Sequence, residues 1–188
     1  SRGGGVKYTD YALKKFFEMA KKQSWYSNTV FVIISDHCAS SAGKTELPMD
    51  KYRIPAMVFS EGFIKPEKFS TLMSQIDVMP TVFSLLNFKY ESKFLGQNVF
   101  DKNYKPRAYI ATYQDLGLIK DDKLTIISPT RNVKQYDLKK TQSTLPIEFQ
   151  LFYDENLVQK KDENLVQKTI STYQSVSYWV KNNKLNSK

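Results

Sequence analysis

The sequence predicts an α/β unit followed by a small antiparallel sheet and a C-terminal helix, and three observations carry that prediction. Thr29-Val30-Phe31-Val32-Ile33-Ile34 is an unbroken apolar, mostly β-branched run, the pattern of a strand buried on both faces. Arg107–Gln114, Leu116–Lys120, Lys123–Ser128 and Asn132–Leu138 are four short β-type runs punctuated by Asp115, Asp121-Asp122 and Pro129-Thr130, the spacing of a meander. Leu165, Val166, Thr169, Ile170, Tyr173, Val176, Ser177 and Val180 then recur at helical spacing to about Asn182.

The remaining elements follow in order. Ser1-Arg2-Gly3-Gly4-Gly5 reads as a linker or loop, so the chain reads as opening within a longer polypeptide. Ala12, Leu13, Phe16, Phe17 and Ala20 give Tyr8–Gln23 the stripe of an amphipathic helix, with Thr9 or Asp10 as its cap and Lys21-Lys22 suited to its C-terminal end. Arg53–Ser60 is a second short apolar strand, with Pro55 tolerable near its start. Asp77 is a natural N-cap for a helix with Pro80 in its first turn, running to about Asn87. Phe94–Phe100 is a tight loop. Two domains are expected, 1–105 and 106–188. The heptapeptide Asp154–Lys160 recurs as Asp162–Lys168; two copies are too few for a solenoid, so a local duplication in or before a helix is expected.

Composition bounds the function. The 188 residues can bury one core and a small satellite, and 41% hydrophobic with 25% charged residues is ordinary for a globular chain. No stretch reaches the roughly 20 apolar residues of a membrane span. The net charge of +9 favours anionic partners, but the lysines are scattered, which fits a solvated basic surface; nucleic acid is not the expected partner. Cys38 stands alone, which rules out a disulfide framework or a cysteine-based zinc site.

The chemistry is expected where the buried run stops on Ser35-Asp36-His37. Ligands of open α/β sheets sit at the carboxyl ends of strands, and a carboxylate beside the chain's single histidine suits a first-row metal such as Zn or Mn. The competing reading is a strand-end cap with a partly exposed histidine. Cys38 has no second histidine to act as its base and reads as a small filler. Ala42-Gly43-Lys44-Thr45 echoes the end of a phosphate-binding loop but lacks its first glycine, so that motif is rejected. Asp77 reads as a cap rather than a ligand, and Phe16-Phe17 and the aromatics of Tyr173–Trp179 read as core.

Taken together, Lys7-Tyr8-Thr9-Asp10-Tyr11-Ala12, Trp25–Val30, Ser35-Asp36-His37, Arg53-Ile54-Pro55, Ile76–Thr81 and Phe94-Leu95-Gly96 resemble the sulfatase-like branch of the alkaline phosphatase superfamily. Within it they look most like the lipoteichoic acid synthase and phosphoglycerol transferase group, from about residue 6 to 100. The resemblance implies the C-terminal part of a doubly wound sheet, then the small antiparallel sheet and helix. It implies metal-dependent transfer or hydrolysis at a phosphate or sulfate ester, through a covalent intermediate. Asp36 and His37 match the family's metal ligands, for Mn or Zn with Ca or Mg as further candidates, and Lys44 loosely matches a basic group facing the anion. No catalytic nucleophile is matched in this chain; nucleophile and acidic ligand are expected in a missing N-terminal half, so this chain alone is expected to be inactive. Cys38 replaces the family's usual glycine. The family also implies an extracytoplasmic enzyme, anchored to the membrane through an upstream segment. A sulfatase or phosphodiesterase, phosphoethanolamine transfer, and a non-catalytic basic module binding polyanions are the alternatives.

Overall fold

Helix α1, Arg2–Ala20, opens the structure, a computed structural model that describes residues 2–38, 47, 49–140 and 157–185. The segment read as a linker is therefore helical from Arg2. A helix nucleated by the periodic segment extends backwards at one hydrogen bond per residue, even through glycines that each cost about 1 kcal/mol. Thr9 lies inside it and donates its hydroxyl to the Gly5 carbonyl at 3.1 Å instead of capping it.

Two compact units follow from the contacts. In the first, Ser1–Ser35 with Pro55–Lys68, strands β1 (Phe31–Ile34) and β2 (Ala56–Phe59) pair antiparallel, Phe31 opposite Phe59 and Ile34 opposite Ala56. Phe17 of α1 meets the rings of Phe31 and Phe59 edge-on at 5.2 and 5.9 Å, and Tyr26 lies 5.5 Å from Phe31. β1 is half-buried along its length, not buried on both faces as its composition suggested. Among the described residues it pairs with one strand only, so its β-branched run is only partly covered.

The second unit, Asp36–Ile54 with Phe69–Lys188, holds the meander. Strands β3 (Arg107–Ala111), β4 (Leu116–Lys120), β5 (Lys123–Ile127) and β6 (Val133–Asp137) pair in chain order, all antiparallel. Asp121 and Asp122 both take positive φ, 50° and 55°, which is the geometry of a two-residue turn whose twist matches its strands. The rows Ala108–Ile119–Leu124–Tyr136 and Tyr109–Leu118–Thr125–Gln135 are each in register and, by strand alternation, lie on opposite faces. The first row builds the core with Leu47, Ile110 and Ile126.

The second row faces helix α3, Glu163–Lys181. Gln135 is fully buried there; its side-chain N–H donates to Thr125 Oγ1 at 2.9 Å, while its Oε1 accepts from Asp162 N at 2.8 Å. Asp162 caps the helix by accepting from Leu165 N at 3.2 Å and pairs with Lys123 at 3.1 Å. The second copy of the heptapeptide is helical from Glu163, and the described part of the first, residues 157–160, is not. In the second copy Leu165 and Val166 are buried in α3, whereas in the first Leu157 bridges Tyr136 and Val158 N donates to Gln135 O at 2.8 Å.

Helix α2, Val78–Leu85, ends on Asn87 at φ 52°, with Phe88 N donating to Phe83 O at 2.9 Å, a left-handed stop. No helix among the described residues is long and apolar enough to cross a membrane.

Candidate functional site

Asp36 and His37 follow β1 in the chain directly after Ser35, whose N–H donates to Pro55 O at 3.3 Å. The backbone N–H of His37 donates to Asp36 Oδ1 at 2.9 Å, which turns the carboxylate back over the next residue. The His37 ring sets Nδ1 2.8 Å from the Cys38 carbonyl oxygen. A carbonyl only accepts, so Nδ1 carries the proton in this bond, and in the neutral tautomer that follows the lone pair lies at Nε2. That Nε2 stands 3.4 Å from Asp36 Oδ2.

This separation tests whether a metal would fit. Two ligands about 2.0–2.1 Å from a tetrahedral ion lie roughly 3.4 Å apart. A metal-bound histidine ordinarily donates its second nitrogen to a carbonyl or carboxylate, as Nδ1 does here. The two donors therefore fit one edge of a Zn- or Mn-type polyhedron. The pair does little for folding, because its side chains are 87% (Asp36) and 65% (His37) exposed, and even a charged pair so exposed contributes at most about 1 kcal/mol. Among the described residues no third histidine, cysteine, aspartate or glutamate joins them to form a metal-sized cluster.

Cys38 is half-buried, and its thiol donates to the Arg53 carbonyl at 3.0 Å. That bond ties the residue after His37 to the Arg53 backbone. Lys44 lies outside the described residues.

Asp77 departs from its reading as a simple cap. It stands at the head of α2, but its carboxylate makes no bond into that helix. It is fully buried and takes a two-pronged pair from Arg107, Nη2 to Oδ1 and Nη1 to Oδ2, both at 2.8 Å. Gln97 N donates to Oδ1 at 2.7 Å and Ser74 N to Oδ2 at 3.0 Å. Tyr104 places its hydroxyl 3.3 Å from Oδ2 and accepts from Arg107 Nη1 at 3.1 Å. Burial alone would pull the Arg107 guanidinium down, but the hydrogen bonds and charge of Asp77 outweigh it and hold Arg107 above its ordinary value. Burial, followed by the Asp77 charge, pushes the Tyr104 phenol up.

Gly96 closes this network. A Cβ there would lie 1.8 Å from the Ile76 carbonyl oxygen, so only glycine lets the 94–97 loop lie on the Ile76–Asp77 backbone and bring Gln97 N to the carboxylate. No local pattern pointed to Arg107. Its one sequence-level mark is a cation opening the apolar run Ala108-Tyr109-Ile110-Ala111.

Residues 1–88 match the Sulfatase family. The chain is 25% identical over 178 residues to lipoteichoic acid synthase 2 of Bacillus subtilis (strain 168), covering 87% of this chain and 25% of that protein. It is 32% identical over 97 residues to the lipoteichoic acid synthase-like YvgJ of the same organism, covering 43% of this chain and 16% of that protein. The chain thus spans a quarter or less of these curated relatives. Its fold is similar to a crystal structure of an alkaline phosphatase superfamily protein from Vibrio parahaemolyticus, with a TM-score of 0.81 and 28% identity, over 100% of this chain and 44% of that one.

Proposed function

We propose that the chain is part of an enzyme of the sulfatase-like branch of the alkaline phosphatase superfamily, and that it carries part of the metal site of a phosphoglycerol or phosphate-ester transferase. The observation that carries the reading is the convergence of Asp36 Oδ2 and His37 Nε2 at 3.4 Å with Nδ1 turned to the Cys38 carbonyl. Asp36 and His37 would hold a divalent ion, Mn or Zn. A bound ion of this kind lowers the barrier by activating a nucleophile and neutralising ester oxygens. Asp36 contributes charge and one oxygen; His37 contributes a nitrogen whose direction the Cys38 carbonyl fixes. Lys44 is proposed to face the anionic ester.

Two ligands do not complete a site, and the nucleophile is proposed to come from outside this chain, as are further ligands and a membrane anchor that would hold the enzyme outside the cytoplasm. The exposure of α1 supports a longer protein: Val6, Tyr8 and Met19 are at least 60% exposed, although they belong to a patterned helix. A sulfatase or phosphodiesterase of the same branch is the second reading, since the same two ligands serve it equally.

The test is metal content and turnover in the full-length protein. Asp36→Asn and His37→Ala should each lower bound metal and cut turnover at least about 100-fold, as loss of a ligand should exceed the 10–100-fold cost of losing an outer-shell partner. Chelator should abolish turnover, and phosphoglycerol-lipid and sulfate-ester substrates offered side by side separate the two readings. Metal-dependent turnover that survives both substitutions removes the assignment. Binding of polyanions that needs no metal and weakens linearly in log salt would instead favour a basic binding module.

A further inference from the structure

We propose that a cavity beside the start of β3 binds an oxyanion of the phosphate class. It measures about 300 Å³ and is lined by Tyr109 together with Gln97, Asn103, Lys105, Arg107, Lys120 and Lys168. It uses none of Asp36, His37 or Lys44 and stands without the functional reading above.

The sheet register explains why positive charge collects there. Arg107 lies directly opposite Lys120, and Lys120 directly opposite Lys123, so three cations form one row across β3, β4 and β5, which ends on Asp137 of β6 opposite Lys123. Like charges facing across strands are destabilising unless answered. Each is paired with a carboxylate: Arg107 with Asp77, Lys120 with Asp121 and Lys123 with Asp162. Lys105 and Lys168 add two more ammonium groups at the cavity, and among the described residues neither has a carboxylate within ion-pair distance. The cavity therefore keeps two uncompensated positive charges, which suits a dianion.

The donor set suits one too. Arg107 has five N–H groups, and Asp77 and Tyr104 take three of them, which leaves further donors on a fork already fixed in direction. Gln97 and Asn103 bring neutral amide donors to the same wall. Lys105 and Lys168 are both exposed, one on the loop before β3 and one on α3, so an anion between them would tie loop to helix.

The test titrates the full chain with inorganic phosphate, and in a parallel arm with sulfate, by calorimetry and amide NMR in the presence of EDTA. EDTA removes any contribution from a metal site, so failure here and failure of the metal assignment are distinguishable. Saturable binding is expected, with shifts at Gln97, Asn103 and Lys105 and roughly tenfold weakening in Lys105→Gln and in Lys168→Gln, a loss of about one ion pair each. Both residues are exposed, so the thermal midpoint should hold and a folding failure should not intervene. Lys181→Gln, which removes the same charge at the far end of α3, should leave binding unchanged. Weaker sulfate binding assigns phosphate as the ligand; equal binding assigns an oxyanion site without that preference. Absence of saturation, or equal weakening in all three variants, overturns the proposal.

Discussion

Asp77 and Arg107, thirty residues apart, meet through two parallel 2.8 Å hydrogen bonds with both side chains at least 90% buried. Arginine forks match carboxylates in this bidentate way, and the remaining lone pairs of Asp77 are taken by backbone N–H groups. Removing one partner leaves the other as an uncompensated buried charge. Asp77→Asn and Arg107→Met should therefore each cost about 3–5 kcal/mol in urea unfolding, and the double variant should cost clearly less than the two together. Strict additivity would mean that the two side chains are not energetically coupled.

Gly96 belongs to the same argument from the backbone side. Its missing Cβ leaves room for the Ile76 carbonyl, an atom that cannot swing away as a flexible side chain could. Gly96→Ala should cost at least the upper end of the roughly 1–3 kcal/mol of overpacking, because the loop must lift and Gln97 N must leave Asp77. Circular dichroism should show native secondary structure with a lowered midpoint. An unchanged midpoint would show that the loop has slack which the 1.8 Å approach denies.

The residues that could be read from sequence are those whose signal is local. The four strands of the meander declared themselves through β-type runs cut by Asp121-Asp122 and Pro129-Thr130, and they occur where those runs lie. Asp36-His37 was visible as a candidate pair because the two are adjacent and directly follow an apolar run and Ser35. Asp77 was half legible: its place at the head of α2 was evident, but its partner depends on the fold bringing β3 to it. The row Arg107–Lys120–Lys123 was likewise hidden, because cross-strand neighbours appear only once the register is known. The glycines of α1 misled for the opposite reason, since a weak local preference gave way to cooperative extension of the helix.

Tyr26 offers a contrast with Tyr104. Its hydroxyl is buried and has no hydrogen-bond partner among the described residues, against a ring packed on Phe31. A buried hydroxyl without a partner costs desolvation and returns nothing. Tyr26→Phe should be neutral or stabilising by up to about 1 kcal/mol, whereas Tyr104→Phe, which loses the bond to Leu72 O at 2.9 Å and the one from Arg107, should lose about 1–2 kcal/mol. Destabilisation of similar size in both would show that the Tyr26 hydroxyl is satisfied after all.

Tyr173 makes stability depend on alkaline pH. Its hydroxyl lies 3.0 Å from the carbonyl oxygens of both Ile110 and Gly117, tying α3 to β3 and β4. Burial pushes its pKa from the ordinary 10.0 up to about 12. The unfolded chain then releases this proton at lower pH than the folded one, so the stabilisation is complete below about pH 10 and is lost as pH rises towards 12. Two units correspond to something on the order of 2 kcal/mol. Urea unfolding of the natural chain and of Tyr173→Phe, run at steps from pH 8 to pH 12, should show a constant difference up to pH 10 that shrinks by about that amount above it. A difference that stays flat to pH 12 would mean that the phenol ionises as readily in the folded protein as in the unfolded chain, and that α3 is held to the sheet without it.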